Sequence, residues 1–432
     1  MMKKRIRSGA ALCCALLLGL SGCVRSLPAP TPGSQPSAPT ESVSTGDLMD
    51  GITPTPVSQK TVDEAFQRAE MTWAVSLFRA AASESREENL LLSPLSAQLA
   101  LAMTAGGAVG QTREEMETLL GGGLSLEELN AYLGSYAGSL SSEAAIANSI
   151  WFRDDENRLR VEPSFLQTNA DYYGAQIYRA PFDDGTLRDV NRWVEQHTDG
   201  MIDRILEEID PNAVLYLINA LVFDAEWETV YKKTDISEGV FTAATGEQRT
   251  VERMHAAESR FLDDGRATGF IKNYKDGHYR FAALLPNEGI GLDEYIAGLT
   301  ADGLLDTLQN AAAVSVETVM PKFQCEYELQ MNKLLAAMGM PTAFDSAAAD
   351  FSRMAVSSRG NIFIGNVLHK TYISVDERGT RAGAVTSVEM KDEAAALFDR
   401  TVILDRPFLY MILDGETNLP LFIGAVRDIP AT

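Results

Sequence analysis

The sequence predicts an α+β fold, on three observations. Segments with apolar residues at helical spacing lie mainly in the first half of the chain. Apolar or alternating segments of strand length occur between and after them. Strands mixed with segregated helices are typical of the α+β class. A length of 432 residues with 45 % hydrophobic composition is enough for one large domain or two smaller ones.

Residues 1–22 predict an export signal. They combine a basic start, a short apolar run and a small-residue exit, and the run is too short for a membrane span. The junction Leu20-Ser21-Gly22-Cys23 resembles the lipobox of bacterial lipoproteins. This resemblance implies cleavage before Cys23 and lipidation of its thiol. We therefore expect a cell-envelope protein that is anchored to a membrane and faces outside the cytoplasm. The alternative is a soluble secreted protein that is cut nearby.

Residues 23–60 predict a tether, and residues 61–432 a folded domain. The tether is rich in Pro, Ser, Thr and Gly and has few large apolar residues with which to form a core. The domain contains one cysteine, Cys325, since Cys13 and Cys14 leave with the signal, so we expect no disulfide and a fold held by its core. The formal net charge of −23 argues against nucleic acid as a partner.

The domain is predicted to begin with helices. The first falls in TVDEAFQRAEMTWAVSLFRAAA, where apolar residues recur near helical spacing. A short LLL strand precedes the second helix, which starts at Ser93 and Pro94 and ends at a Gly-Gly pair. Thr112 and Glu115 have the spacing of a capping box and predict the start of another helix.

Strands and an amphipathic helix follow. IANSIWF predicts a buried strand, DVNRWVEQHTDGMIDRIL a helix, and VLYLINALVFDAEW a strand covered on both faces. The polar interruption of that last strand, Asn219, needs partners, because a buried unsatisfied amide costs on the order of 1–3 kcal/mol. RFLDD, GFIKNYKDGHYRFAALLPN and FLYMILDGETNLPLFIGAV predict hairpin strands, the last with a turn at Asp414-Gly415.

A segment near the C-terminus carries two conflicting patterns. After the strand HKTYISVDE, Gly379 and Thr380 look like a turn, yet even positions from Thr380 to Met390 are small or apolar with polar residues between them. That alternation is typical of a strand with one buried face. The Gly, Ala, Ser and Thr content is instead typical of an exposed, cleavable loop. The segment is either an ordinary surface loop with accidental alternation or a loop patterned to become a strand.

The flanks of this segment resemble the serpins, protease inhibitors that act by inserting a loop into a sheet. The similar stretches are VLHKTYISVDERGTRAGAV, DRPFLYMILDGETNLPLFIGAV and, upstream, NLLLSPLSAQLALAMTAGGAVGQTREEM. The resemblance runs from about Asp63 to the C-terminus. It implies a serpin-like α+β fold with a large, mostly antiparallel central sheet, further sheets, several helices and an exposed reactive loop at about residues 378–400.

The resemblance also assigns residues around the place where the central sheet opens. Trp227 matches a tryptophan at the top of the sheet, where insertion begins. Lys322 matches a lysine that pairs with the hinge glutamate, Glu377. Beneath the opening the family has a hydrogen-bonded cluster, whose matching members are Ser93, Ser96, Asn219 and His369.

The hinge is the part of the loop that inserts first, and it needs small or apolar side chains on its buried face. The matching hinge residues, after Glu377, are Gly379, Thr380, Ala382, Ala384 and Thr386. Arg381 departs from the family pattern, in which Glu is usual, but its side chain would point to solvent after insertion. The hinge therefore favours an inhibitor over a non-inhibitory member that no longer inserts its loop.

The implied function is suicide inhibition of a serine protease or a cysteine protease. Family spacing from Glu377 places the scissile bond at Glu393–Ala394, which implies a Glu-cleaving target. The loop is a few residues longer than in common members, so the alternative is a bond among Ala394 to Leu397, which implies an elastase-like target. We expect a monomer without a cofactor or a metal.

Two other classes have less support. Against an enzyme, GxSxG, HExxH and phosphate-loop motifs are absent, and His197, His255, His278 and His369 lack metal-ligand spacing. A solute-binding lipoprotein would share the lipobox and the tether. Such a protein has no reason to keep an alanine-rich, strand-patterned segment before its last hairpin.

Overall fold

A computed structural model describes residues 45–154, 158–358, 360–380 and 397–430. All of these residues belong to one unit, Val43–Thr432. The export signal and most of the tether lie outside the described residues, as do these predicted site residues: Cys23, Ala382, Ala384, Thr386, Glu393 and Ala394.

The described ranges contain nine α-helices. Local side chains start several of them: the Ser93 hydroxyl caps the second helix, with Pro94 in its first turn, and Ser125 and Glu128 form a reciprocal capping box on the fourth. The helices are α1 (Glu64–Glu84), α2 (Pro94–Ala105), α3 (Gly110–Gly121), α4 (Leu126–Ser139), α5 (Pro163–Tyr173), α6 (Asp184–His197), α7 (Leu292–Ala297), α8 (Ala301–Gln309) and α9 (Asn332–Met338).

The predicted capping box of the third helix is wrong. α3 begins at Gly110, and its N-cap residue makes no side-chain cap hydrogen bond. Thr112 lies inside the helix, where its hydroxyl accepts from the backbone N–H of Asp350 at 2.9 Å. The Glu115 carboxylate accepts from the backbone N–H and the hydroxyl of Thr342 at 2.9 and 2.7 Å. Both side chains hold distant segments against α3, a tertiary use that local spacing does not reveal.

Four sheets are formed by the strands of the described ranges. The strands are β1 (Gly46–Asp47), β2 (Leu90–Leu92), β3 (Ala144–Arg153), β4 (Leu159–Val161), β5 (Gln176–Ala180), β6 (Leu215–Phe223), β7 (Ala225–Glu226), β8 (Ile236–Thr242), β9 (Gln248–Glu258), β10 (Phe261–Asp263), β11 (Ala267–Asn273), β12 (Tyr279–Pro286), β13 (Val316–Pro321), β14 (Phe323–Gln330), β15 (Ala355–Ser357), β16 (Asn366–Val375), β17 (Gly379–Thr380), β18 (Arg400–Ile403), β19 (Phe408–Asp414) and β20 (Pro420–Val426). The central sheet has the order β1-β5-β3-β6-β16-β17-β7, with β14 also paired to β16. The others are β10-β11-β12-β19-β20-β2, β18-β13-β9-β8 and β15-β4.

The central sheet is mostly antiparallel, and the serpin-like α+β class is confirmed. β3 with β5 and β6 with β16 are its parallel pairs in the described part of the chain. All of β6 is buried, because the sheet is covered on both faces. Leu217 and Leu221 join the main core, while Ile218 and Ala220 join a second core that includes Val190 of α6.

The stretch from Thr45 to Lys60 lies against the domain. β1 pairs with β5, the backbone N–H and hydroxyl of Thr55 donate to the Asp171 carboxylate, and the Lys60 ammonium lies 2.8 Å from Glu128. The folded part thus begins earlier than the boundary predicted from composition. Backbone pairing, polar contacts and the packing of Leu48, Met49 and Ile52 against the core attach this stretch.

Cys325 is a buried free thiol on β14. Burial raises the pKa of this thiol to about 12, so it stays protonated at neutral pH. None of the helices in the described ranges combines the length and the apolar character needed to span a bilayer.

Candidate functional site: the opening of the central sheet

The central sheet opens between β6 and β16. These strands pair in parallel up to the rung of Thr371 and Leu221. Beyond that rung, β17 lies between β16 and β7 and is antiparallel to both, with Thr380 opposite Val375 on one side and Ala225 on the other. The start of the predicted loop therefore occupies the mouth of the opening.

Gly379 and Thr380 form a strand and not the turn that their composition suggests. A Cβ on Gly379 would lie 2.1 Å from the carbonyl oxygen of Ala225, so a larger residue would push β17 away from β7. Thr380 is fully buried, and its hydroxyl lies 2.5 Å from the hydroxyl of Tyr274. Backbone pairing with two neighbours and a buried side-chain contact hold these residues in the sheet.

A polar cluster lies beneath the opening and contains the four residues assigned to it. The Asn219 amide nitrogen lies within hydrogen-bond distance of the Ser96 carbonyl (2.6 Å), the Ser96 hydroxyl and Asn148 Oδ1 (2.5 Å). His369 Nε2 accepts from the Ser93 backbone N–H at 3.1 Å. Its Nδ1 therefore carries the proton and donates to Asn219 Oδ1 at 2.7 Å. The cluster ties β3, β6 and β16 to the start of α2.

His369 is a neutral structural histidine. It is completely buried, and burial lowers its pKa to about 4. A protonated ring would have two donors, so the acceptor position facing Ser93 would be lost. His369 and Asn219 are also opposite each other in the β6–β16 pairing, so their hydrogen bond spans the seam along which the sheet would open.

Three hydrogen bonds hold the backbone just before β17. Trp227 donates from its indole N–H to the Asp376 carbonyl and from its backbone N–H to the Arg378 carbonyl, each at 2.8 Å. The Tyr231 N–H donates to the Glu377 carbonyl at 2.9 Å. Every residue of the turn between β16 and Gly379 is therefore held through its carbonyl oxygen.

An aromatic clamp backs this turn, and we define it as Trp227, Tyr231 and Tyr274. The Trp227 and Tyr274 rings stack with centroids 4.4 Å apart. Both residues are almost completely buried, so the stack is rigidly placed behind the opening. Trp227 thus lies where the family resemblance puts it, at the top of the sheet beside the hinge.

The Lys322 ammonium lies 2.8 Å from the Glu377 carboxylate and 3.2 Å from that of Glu252. Burial opposes ionisation of Glu377, but the hydrogen bond from Lys322, a backbone hydrogen bond and the nearby charges of Lys322 and Arg378 together lower the pKa of this carboxyl. Burial likewise opposes the charge on Lys322, but the two carboxylates raise its pKa overall. Both partners therefore remain charged at neutral pH.

The predicted residues form two groups and not one. The polar cluster surrounds His369, whereas Trp227, Lys322 and Glu377 surround the end of β16 after Val375. Sequence reasoning missed Asn148, Tyr231 and Tyr274. Asn148 and Tyr274 are brought to the site by pairing with distant segments, and Tyr231 lies in a polar segment, so local spacing carried no signal for these roles.

The contacts of the site are made mainly to backbone. In residues 45–154, 158–358, 360–380 and 397–430, no group of three or more His, Cys, Asp or Glu side chains converges into a metal site. The described groups instead hold a short strand between two others. Fold and site together define an α+β protein whose central sheet is open to an added strand at one end.

This protein belongs to the serpin family. Residues 68–429 match the family model described as Serpin (serine protease inhibitor). Leukocyte elastase inhibitor A of Mus musculus is 27 % identical over 384 residues, which cover 84 % of this chain and 99 % of that protein. An uncharacterised serpin-like protein of Thermococcus kodakarensis is 28 % identical over 438 residues, which cover 98 % of this chain and 99 % of that protein.

Solved structures agree with this assignment. The thermophilic serpin tengpin in its native state is 46 % identical, with a TM-score of 0.85, and the match covers 90 % of this chain and all of tengpin. Tengpin in its latent state has a TM-score of 0.76 over 87 % of this chain. The described fold is therefore closer to the native-state form. Serpins in general inhibit proteases and are not enzymes themselves.

Proposed function

We propose that this protein inhibits a serine protease as a suicide substrate, by cleavage of the loop after Thr380 and its insertion between β6 and β16. Inhibition of serine proteases in general follows from family membership. The observation that carries the specific mechanism is β17, a two-residue strand that already lies between β16 and β7.

The chemistry begins on the target protease. Its serine hydroxyl attacks the carbonyl of the scissile loop residue, the peptide C–N bond breaks, and the new amine leaves with the proton. The loop remains joined to the protease as an acyl ester. Insertion of the freed loop would draw the protease along and distort its catalytic site before water can hydrolyse that ester. The loop would supply the peptide bond that the protease cleaves, and the pairing of the inserted strand with the sheet would supply the free energy that drives insertion.

The register of the described rungs predicts where each loop residue would go. Continuing from Thr380 opposite Val375 would bring Ala384 opposite Thr371, and continuing from Thr380 opposite Ala225 would bring it opposite Leu221. Thr371 and Leu221 are already partners in the β6–β16 pairing. The two registers, read independently, therefore select the same slot for Ala384.

The same register would send the predicted hinge residues to the buried face. Thr380 and Val375 are buried, and the next even positions would face the same core layer. Ala382 would enter beside Ile373, and Thr386 would enter between His369 and Asn219. The Thr386 hydroxyl would then enter the polar cluster at the position where the His369–Asn219 hydrogen bond joins β6 and β16 before insertion.

Insertion would replace a parallel pairing with two antiparallel ones. Antiparallel ladders are slightly more stable per residue than parallel ones, and each inserted residue adds backbone hydrogen bonds. From Gly379 to Glu393 the strand would extend about 50 Å at about 3.3 Å per residue. That length would carry an attached protease across the whole sheet.

Two finer assignments belong to the same proposal. The scissile bond is Glu393–Ala394 or lies among Ala394 to Leu397, and the second option agrees with a mouse relative named for inhibition of leukocyte elastase. The chain is anchored by a lipid on Cys23 outside the cytoplasm, which would present the loop to proteases of that compartment.

The proposal is tested by mixing the protein with elastase-like and Glu-cleaving serine proteases. We expect a protein–protease complex that survives SDS with at least one of them, together with a released C-terminal peptide that begins at residue 394 or shortly after it. Sequencing that peptide identifies the scissile bond. Cleavage of the loop by every protease without a stable complex would contradict inhibition.

A further inference from the structure

A buried ion pair lies behind the aromatic clamp. Lys272 on β11 is 2 % exposed, and its ammonium lies 2.9 Å from the carboxylate of Glu258, the last residue of β9. The same ammonium lies 3.3 Å from the Thr229 carbonyl. Lysine is rarely buried in proteins unless it is paired, because removing its charge from water is costly. The buried charge of Lys272 therefore indicates a role that an apolar side chain at this position could not perform.

The Lys272 ammonium lies against two of the three clamp rings. It is 4.5 Å from the Tyr231 ring centroid and 5.4 Å from that of Trp227. A cation at these distances is attracted to the negative face of each ring, and the attraction is stronger where water is excluded. Trp227 in turn stacks on Tyr274. One charged atom thus fixes the ring positions of a clamp drawn from two separate segments.

The clamp holds the turn at which insertion starts. Trp227 and Tyr231 bind the three carbonyls of residues 376–378, and Tyr274 contacts the Thr380 hydroxyl. The rung of Val375 and Thr380 has the register that an inserted strand would keep. The turn does not need to move for insertion to proceed, so it acts as a preformed nucleus from which the strand would extend.

We propose that Lys272, paired with Glu258, is a positioning residue for loop insertion: it orders the aromatic clamp and thereby keeps the first inserted rung formed before cleavage. This inference rests on the proposed function, because it concerns the rate of the same insertion. Without the cation, the first rung must be re-formed after each cleavage. Slower insertion gives water more time to hydrolyse the acyl ester, so more inhibitor is consumed as substrate.

The test compares one disrupted pair with two matched variants. Lys272→Met combined with Glu258→Leu removes both charges and leaves no buried unpaired carboxylate. Lys272→Arg keeps a cation at the same place. Arg266→Met is the control, since Arg266 also pairs with a glutamate, Glu294, and lies over a tyrosine ring, but contacts α7 and not the clamp.

Two quantities are measured on each variant. The first is the number of inhibitor molecules consumed per protease trapped, and the second is the rate at which the protein becomes heat resistant after its loop is cut. We expect the double variant to insert about tenfold more slowly, as for loss of one desolvated cation–π contact. Lys272→Arg should be within about twofold of wild type. Thermal unfolding of the uncut proteins verifies that each variant is folded.

The possible outcomes separate this inference from the proposed function. Equal insertion rates for wild type and the folded double variant would overturn the role of Lys272 and leave inhibition intact. Heat resistance after cleavage without protease trapping would overturn inhibition, while the insertion rates would still test Lys272. If the double variant does not fold, the test is made on Lys272→Met alone, where a normal insertion rate overturns the inference.

Discussion

Glu377 and Lys322 are joined by an ion pair of 2.8 Å that connects the last residues before the loop to the junction of β13 and β14. Both side chains are partly exposed, with 36 % of Glu377 and 22 % of Lys322 accessible to solvent. Solvent therefore weakens the pair, which is one of the side-chain contacts of a turn that is also held through its backbone.

The pair predicts a pH-dependent contribution to stability. The pKa of Glu377 is lowered in the folded protein, so its contribution is present above the pKa of the unfolded chain and is lost as pH falls through the folded value. We expect Glu377→Gln to lower the free energy of unfolding by about 1 kcal/mol or less at pH 7. In urea denaturation, the deficit should shrink as the pH is lowered from 7 to 3. An equal deficit at pH 3 and pH 7 would show that the carboxylate charge is not responsible.

Cleavage of the loop is predicted to raise thermal stability. A cut between Met390 and Leu397 frees the segment to add its strand to the sheet, so the cut protein gains buried surface and backbone hydrogen bonds. The measurement is the unfolding temperature before and after limited proteolysis, with the two fragments shown to remain associated. A cut protein that melts at or below the intact one contradicts insertion.

Ala384→Arg is predicted to convert the inhibitor into a substrate. The arginine would have to enter the buried layer between Thr371 and Leu221, and an unpaired buried charge costs several kcal/mol. We expect normal cleavage by the target protease, an unchanged unfolding temperature for the uncut protein and loss of most of the SDS-stable complex.

The matched control is Ala384→Val, which adds volume at the same position without a charge and should keep most of the complex. Val385→Arg is less suitable, because the register would place it between Lys370 and Ala220, and Ala220 is fully buried. If Ala384→Arg traps as much protease as Ala384→Val does, the alternation of small and polar residues in the loop does not predict which side chains are buried on insertion.

Glu70 in α1 is predicted to reduce the stability of the fold at neutral pH. It is 1 % exposed, and the Gln98 side chain offsets only part of the cost of burying its carboxylate. Burial raises its pKa from 4.5 to about 8. The unfolded chain therefore releases this proton at lower pH than the folded chain, and stability falls as pH rises between those values.

Glu70→Gln removes that titration. We expect the variant to be more stable than wild type by about 3 kcal/mol at pH 7 and equal to it at pH 4. Urea denaturation at both pH values measures the difference. A variant that is less stable than wild type at pH 7 would mean that Glu70 has a charged partner in the folded protein.

The N-terminal cysteine is predicted to determine localisation. With Cys23 lipidated, the mature protein should sediment with membranes, and Cys23→Ala should release it in soluble form. Fractionation of expressing cells, with detection of the folded domain, distinguishes the two. Soluble wild-type protein in cells that process lipoproteins normally would argue for ordinary secretion.

Periodicity along the chain was enough to predict several of the elements. The continuous apolar run of β6, the alternation of β16 and the Ser-Pro entry of α2 are patterns within single segments, and each of these elements has the predicted type. Local patterns failed where a side chain serves a distant partner. Thr112 and Glu115 have the spacing of a helix cap but bind residues more than 200 positions away.

The contacts of the candidate site were much harder to predict from the sequence than the helices and strands, because tertiary structure creates them. The sequence indicated that Asn219 needs hydrogen-bond partners, because a polar side chain in a buried strand must have its hydrogen bonds satisfied. Spacing along the chain did not identify those partners. Ser96 and His369 lie 123 and 150 positions from Asn219. The family resemblance identified these two residues as partners of Asn219. The sheet register explains the contact with His369, since His369 and Asn219 lie opposite each other in the β6–β16 pairing.

Local sequence therefore determined that segments such as β6 and β16 become strands, and that the loop has one face suited to burial. Tertiary packing alone decided that Thr380 already lies in the sheet, and that a lysine in the strand GFIKNY lies against the clamp behind it. The physical reason is that side-chain periodicity is set by the backbone of one segment. Rungs, ion pairs and ring contacts are instead set by which segments the whole core brings together.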